Sequence, residues 1–559
     1  MHNEMLSSRR IGRLALAIGL ALAGTAAYAQ PLPPADGAPP EAEAEAGRDA
    51  PAPRGRNSRG DIRPYLEISQ VLSADLDGGE TLTYTSVAAG VDGHIQTRRV
   101  TAQISYRYER NIDWNDALGD TDVHSGIASV NVQVVPGALS IDAGALATRT
   151  GGEGRALGVT NRDDAVNVYS GYVGPSLSTH VGPVAVNASY QLGYVKIDDD
   201  RIAGTLSDDF DESVAHNATA SVGMAPGPLP FGWTVGAGYA REDSGGRFDN
   251  RFEGAYVRAD VVVPVSHSLA LTAGVGYETI EAGQRDVVRD INGDAVIGPN
   301  GQPTPDPSAP RVLTYDMDGV MYDAGIIYRP GPRTELQARA GRRYGSTTVV
   351  GSLAHQFNRD YGVSAMVYDT VESFGQVVIN DLRNLPDDFN VHRDPLTGGL
   401  GGCVTGAQGA GVCLGNSLQS ISSATFRARG GTITFAGSRR LWTFGVGAGY
   451  AHRRYSRPSD PVFNVVTAGE DESFSLFGSV GRELSRTSDI SLSAYASWFS
   501  SDLAALDDVT SLGGTLSYSR SFILDRLQLQ AALGIYNSDD GVDSATNASA
   551  LAGLRYTFW

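Results

Sequence analysis

From Asp61 to Trp559 one hydropathic pattern repeats: apolar residues alternate with small or polar ones for about ten positions, a turn follows, and the alternation resumes. Val100, Ala102, Ile104, Tyr106 and Tyr108 alternate with Thr101, Gln103, Ser105, Arg107 and Glu109. Trp442, Phe444, Val446, Ala448 and Tyr450 alternate with Thr443, Gly445, Gly447 and Gly449. A period of two gives each strand one apolar and one polar face. Soluble sandwiches alternate as well, so periodicity alone does not place the sheet in a membrane.

Three further features do. An apolar band of roughly 25 Å, crossed at a tilt near ~40°, needs about ten residues per strand, which is the segment length here. The connections alternate between short ones, such as Pro136-Gly137, Pro330-Gly331-Pro332 and Ser438-Arg439-Arg440, and long ones, such as Asn111–Asp122, Gly151–Asp164, Glu281–Asp318 and Gly375–Ser420. Short periplasmic turns and long outer loops are the barrel arrangement. Finally, Ala548, Ala550, Ala552, Leu554, Tyr556 and Phe558 form an apolar stripe running into Trp559. That stripe resembles the C-terminal signal read by the barrel assembly machinery, with Tyr556, Phe558 and Trp559 as its aromatic end. The expected fold is all-β: a transmembrane up-and-down antiparallel barrel of about 22 strands, within 20–24, because bacterial barrels close with an even number. Tyr65, Tyr106, Tyr194, Trp233, Tyr328, Tyr450 and Trp498 are expected to form interfacial girdles.

Composition narrows the picture. No run of 18 apolar residues follows the N-terminus, which excludes a bundle of transmembrane helices. The net charge of −19 argues against a nucleic-acid partner. Acid clusters such as Asp198-Asp199-Asp200 fall between the periodic segments and read as solvated loop charge near lipopolysaccharide. Arg9, Arg10 and Arg13, the apolar run Leu14–Ala23 and Ala27-Tyr28-Ala29 form a Sec signal peptide, residues 1–29. Residues 30–60, rich in Pro, Ala and Glu, are too apolar-poor to offset their ordering entropy and read as a disordered periplasmic leader. The barrel then runs 61–559, with long outer loops at 281–318 and 375–420.

The segment Asp318–Ser346, DGVMYDAGIIYRPGPRTELQARAGRRYGS, with the later YDTVESFG, the cysteine-containing loop and SATFRARGG, resembles the exosortase (PEP-CTERM) system-associated outer-membrane barrels. That group is close to the β-barrel porin type 2 proteins. The resemblance implies a barrel encoded near exopolysaccharide genes, without an established activity and without catalytic residues to carry over.

The two cysteines, Cys403 and Cys413, sit in one Gly-rich loop, and in an exported chain they read as a disulfide. Closing so short a loop contributes roughly 2–3 kcal/mol. A metal site would need more ligands than the nearby His392 supplies. The histidines are scattered, with no visible His–Ser–Asp grouping, so no enzyme and no cofactor is expected. Asp290-Ile291-Asn292-Gly293-Asp294 resembles the start of a calcium loop but lacks its spacing, and reads as a turn.

With apolar faces toward lipid, the lumen receives Arg107, Glu109, Arg258, Asp260, Glu335, Arg339, Arg343, Arg427 and Arg429. Arginine facing lipid would cost about 2–4 kcal/mol at the midplane. Such a wall either favours anionic solutes, acidic polysaccharide among them, or is stiffened by its own ion pairs. No plug-sized domain precedes the strands, which argues against an energised siderophore transporter. The lumen is then open, or narrowed by loops 281–318 and 375–420. The functional expectation is a porin-like barrel of the Gram-negative outer membrane, against a non-conducting structural or surface-interaction barrel.

Overall fold

The computed structural model describes residues 60–114, 120–151, 165–199, 210–246, 248–298, 303–385, 389–391, 393–400, 403–406, 411–418, 421–456, 469–502, 508–523, 526–542 and 544–558. The expected signal peptide, residues 30–59 of the expected leader, and Trp559 lie outside them, while Gly60 already opens the first strand. The first strands are β1 (Gly60–Asp75), β2 (Thr81–Gln96), β3 (Val100–Asp113), β4 (Thr121–Val135), β5 (Leu139–Thr150) and β6 (Val166–Val181). Next come β7 (Val184–Asp199), β8 (Glu212–Met224), β9 (Gly232–Ser244), β10 (Arg251–Pro264) and β11 (Leu269–Gln284). A small outer hairpin, β12 (Asp286–Val287) and β13 (Pro305–Asp306), precedes β14 (Val312–Gly331), β15 (Thr334–Arg343), β16 (Ser346–Gln356) and β17 (Tyr361–Glu372).

The connection after β17 holds helix α1 (Phe374–Arg383), three short strands, β18 (Phe389–Asn390), β19 (Cys403–Gly406) and β20 (Gly411–Cys413), and helix α2 (Leu414–Leu418). The chain ends with β21 (Phe426–Arg439), β22 (Trp442–Tyr455), β23 (Glu470–Ser485), β24 (Ser488–Ser501), β25 (Val509–Phe522), β26 (Leu527–Asp539) and β27 (Ser544–Thr557).

Twenty-two of these strands form one antiparallel sheet in which each pairs with its sequence neighbours, β11 with β14 and β17 with β21. It closes where β1 meets β27, from Tyr65 opposite Thr557 to Asp75 opposite Asn547. The Phe558 amide adds a hydrogen bond to the Pro64 carbonyl at 3.0 Å. Closure removes both sheet edges, so every strand's N–H and C=O row has a partner.

The alternation seen in the sequence decides what each face carries. On β1, Leu66, Ile68 and Leu72 lie exposed on the outside while Glu67, Ser69, Val71 and Ser73 are buried inside. On β11, Leu271, Val275 and Tyr277 point out and Thr272, Glu278 and Ile280 point in. An outer face of Leu, Ile, Val and Tyr suits hydrocarbon. Near the short turns, Phe357, Tyr361, Phe435 and Phe444 cluster on this face with ring centroids 5.3–6.2 Å apart, an aromatic belt. Tyr65 is not in such a belt: it is 2 % exposed, under the Arg555 guanidinium inside the barrel. Parity places it there, because Leu66 and Ile68 take the outer face.

The turn between β15 and β16 is the two-residue Tyr344-Gly345, both at positive φ (54° and 68°), the hairpin geometry that matches strand twist. The run Asp290–Asp294 is a turn: Asp290 Oδ1 accepts the Asn292 and Asp294 amides, and Gly293 takes φ 89°. Among the described residues no group of three or more metal-ligating side chains occurs.

Replacing Val275, mid-strand on the outer face, by Arg is expected to lower folding stability by about 2–4 kcal/mol. Equilibrium urea titration of folding into phospholipid vesicles reads this; an unchanged midpoint would mean that this face does not meet lipid.

Candidate functional site

The connection between β17 and β21 leaves the end of the barrel opposite the short turns and folds into the lumen. Helix α1 explains why it docks. Phe374, Val378, Ile379 and Leu382 fall at helical spacing on one face, and all four are buried. They pack with Phe389, Leu400, Val404, Leu414 and Leu418 of the same connection against Ile127, Leu146, Val166, Val168, Val195 and Ala215 of the wall. Each fully buried side chain of this size contributes about 1.5–3 kcal/mol of burial before ordering entropy is counted. The approach is close enough that a Cβ at Gly193 would collide with Ile379.

The first turn of α1 contains no acidic residue, and Ser373 makes no side-chain cap to the helix. The wall supplies a carboxylate instead. Glu242 of β9, fully buried, stands at the start of the helix: its Oε2 accepts the Ser373 hydroxyl at 2.5 Å, and its Oε1 lies where a Cβ at Gly375 would meet it. A carboxylate beside the first-turn N–H groups complements the helix dipole.

Further along, the connection is pinned to other parts of the wall. Gln103 of β3 exchanges two bonds with Phe389, donating to its carbonyl at 2.6 Å and accepting its amide at 3.1 Å. Arg393 donates to Ser105 and to the Ser125 carbonyl, both at 3.3 Å. Asp394 Oδ2 accepts the Thr515 hydroxyl of β25 at 2.7 Å and the Tyr536 hydroxyl of β26 at 2.8 Å. Leu396 is buried with Val71, Leu82, Tyr536 and Leu551. The connection thus spans the lumen from β9 through β3 to β25.

Asp381, on the polar face of α1, is bound by the Ser417 hydroxyl of α2. Burial pushes its carboxyl up to about 7 from 3.8, reinforced by the neighbouring Glu372 carboxylate and opposed by Ser417 and Arg453.

The lumen charges expected from the sequence are arranged in pairs. Arg107 lies 3.1 Å from Glu67 and 3.0 Å from Glu109, all buried. Arg258 and Arg339 share Asp260 and Asp323, with contacts of 2.6–3.2 Å. Arg343 meets Glu278 at 2.7 Å, and Glu335 meets Arg329 at 2.6 Å. Arg427 and Arg429 both reach Asp369, at 2.7 and 3.3 Å. They alternate on β21 with Phe426 and Ala428, which line the lumen cavity, so they occupy the strand's other face. Tyr344 sits between Arg343 and Arg427, 4.6 and 5.1 Å from their guanidinium carbons. Cys403 and Cys413 are directly opposite in the β19–β20 ladder, while their side chains fall outside the described ones. Tyr556 lies on the outer face against Phe558, rings 5.2 Å apart.

Below α1, toward the short turns, the lumen keeps a cavity of about 1270 Å³. Its lining runs from Pro226 and His267 in the turns up to Gln376, Asn380 and Arg383 of the helix. A smaller cavity of about 320 Å³ adjoins it and shares Arg383 and Tyr256. The loop at 281–318 does not join this arrangement. Its described residues form the β12–β13 hairpin beside Phe248, with Ile291 at the tip 99 % exposed.

The sequence left the lumen either open or narrowed by both long loops, and gave no sign of Glu242 beside the helix or of Arg383, Arg393 and Asp394. The helix had a signal: apolar residues at 374, 378, 379 and 382 behind Ser373. The partners Glu67, Glu278, Asp323 and Asp369 had none, since they are matched across strands.

A closed antiparallel barrel of 22 strands with apolar side chains outward defines an outer-membrane β-barrel protein, a multi-pass barrel of the Gram-negative envelope. No family model matches the chain, and no curated protein does. Similar solved structures include the FrpB iron transporter from Neisseria meningitidis (F5-1 variant), at 10% identity over 89% of this chain and 83% of that one, with TM-score 0.42. The siderophore receptor PiuA from Acinetobacter baumannii is 11% identical over 89% and 82%, TM-score 0.46. The open form of the ferric-catecholate import receptor Fiu from E. coli K12 is 10% identical over 90% and 82%, TM-score 0.43. The likeness is one of architecture alone.

Glu242→Gln keeps the volume but turns one acceptor oxygen into a donor facing helix amides; undocking of α1 is expected to become easier by roughly 1–3 kcal/mol. Hydrogen exchange across residues 374–383 in the folded barrel measures it, and unaltered protection would remove the latch. The Asp381 carboxyl is protonated in the docked connection up to about pH 7 but ionises near 3.8 when released. Docking is therefore strongest below about pH 4, weakens as pH rises to about 7, and is level above. At matched intrinsic exchange rates, Asp381→Asn is expected to flatten that dependence; an identical profile would show that another group sets it.

Proposed function

We propose that this protein is a porin-like outer-membrane channel whose passage is set by the connection at 373–425 folded into its lumen. The observation that carries the reading is a lumen crossed by a pinned segment that still leaves a cavity of about 1270 Å³ reaching the short-turn end. A barrel wall needs no such cavity for strength, whereas a selective passage needs a narrow zone beside a wide one. Small anionic solutes and acidic polysaccharide are the cargo classes this reading favours. The wall arginines are neutralised by partners, so selectivity rests on the narrow zone, where Arg383 and Arg393 make no salt bridge among the described residues. Lipid, lipopolysaccharide and the barrel assembly machinery are its proposed partners, the last through the strand ending in Tyr556 and Phe558. No catalytic chemistry and no cofactor is proposed. The extent of wall contact also supports a second reading, a surface-interaction barrel kept closed by the same segment.

Planar-bilayer recording separates the two. The intact protein is expected to give small, anion-preferring unitary currents. A variant with residues 374–424 replaced by a short Gly-Ser linker is expected to give several-fold larger ones. Currents from the linker variant alone would favour the closed barrel, and equal currents from both would remove the connection's role.

A further inference from the structure

Arg383 differs from the wall arginines around it. It ends helix α1 and lines both cavities beneath it. Its Nη1 donates to Gln191 Oε1 at 3.5 Å, the long edge of the range. No carboxylate lies within salt-bridge distance among the described residues, while Arg258, Arg329, Arg339 and Arg343 each have one. A guanidinium carries five donors in a planar fork that matches a carboxylate bidentately, and among the described residues Gln191 is the one hydrogen-bond partner of this fork. Burial lowers its affinity for the proton, with Tyr172, Asp142 and Tyr256 as the nearest compensating groups. Asp142 is itself engaged, accepting Asn131 at 2.5 Å and Ser140 at 3.2 Å. An arriving anion would therefore gain a partly desolvated cation at little reorganisation cost.

The surroundings narrow the class of anion. Ser176, Asn187, Ser189, Thr219 and Ser221 line the adjoining cavity, a surface of hydroxyls and amides suited to a polyhydroxylated ligand. Tyr256 adds an aromatic surface beside them. The cavity opens past Pro226 and His267 at the short-turn, periplasmic end, so a ligand reaches Arg383 from the periplasm.

We propose that the chamber beneath helix α1 is a binding site for a carboxylated sugar entering from the periplasm, with the Arg383 guanidinium holding the carboxylate. The proposal rests on the porin-like reading only for an accessible lumen; binding itself requires no conductance. An acidic saccharide held on α1 also sits on the element that crosses the lumen, so occupancy and passage share one helix.

Isothermal titration of the full barrel in nanodiscs tests it, with trigalacturonate, neutral maltotriose and inorganic phosphate as probes. Trigalacturonate is expected to bind, with maltotriose and phosphate weaker by about tenfold or more through lost charge-assisted bonds or hydroxyl contacts. Arg383→Gln is expected to weaken trigalacturonate by about tenfold or more. Asp142→Asn, which removes a carboxylate that offsets the burial of Arg383, is expected to tighten it. Heat-modifiable gel migration of each variant verifies the folded barrel. Equal affinity in Arg383→Gln, no trigalacturonate binding, or phosphate or maltotriose binding as tightly would each overturn the proposal. Binding without currents would remove the channel reading and leave this site standing; currents without binding would do the reverse.

Discussion

Hydrocarbon offers no partner to a peptide N–H or C=O, and the rest of this structure follows from that lack. A strand crossing the bilayer must find both of its hydrogen-bonding rows inside the protein, and the sheet satisfies this for its first and last strands by joining β1 to β27. Closure in turn separates space into an outside and a lumen. Once separated, side-chain parity along each strand assigns Leu66 and Val275 to one and Glu67 and Glu278 to the other. Charges that would be costly against lipid become cheap ion pairs facing inward, as in the Arg258–Asp260–Asp323–Arg339 group.

A lumen this wide cannot be filled by wall side chains alone. The connection between β17 and β21 occupies part of it, and the wall is adapted to receive it. Near the outer end, positions that would otherwise be polar carry Val166, Val168 and Val195, forming an apolar seat for Phe374, Val378 and Ile379. Glycine at 193 lets the helix approach, and Glu242 provides the negative end that the helix's own first turn lacks. Strand and connection are thus complementary in shape and charge, although nearly the whole barrel separates some of the paired residues in sequence.

The contrast between wall and connection arginines gives the lumen its chemical character. Arg107, Arg258, Arg339 and Arg343 of the wall sit within ion-pair distance of carboxylates and stiffen the barrel. Arg383 and Arg393 lie on the docked segment, partly desolvated and without a salt bridge among the described residues. Positive charge available to a solute therefore resides on the element that narrows the passage, and displacement of that element would change pore width and charge together.

Local pattern was enough to establish the barrel, its strand number near 22 and the outward apolar face, because strand parity and bilayer thickness act within ten residues of chain. Nearness to a strand end does not by itself put Tyr65 in a girdle, since parity turns it inward. Parity alone could not rank Arg427 and Arg429 either, since which face of β21 meets the cavity depends on Phe426 and Ala428 packing beneath the folded connection. Only the tertiary structure decided that this connection enters the lumen, that Glu242 stands at the start of its helix, and that Arg383 faces a cavity without a salt bridge among the described residues. Those outcomes depend on contacts between residues far apart in the chain, and no periodicity along a single segment encodes which distant wall a loop will meet.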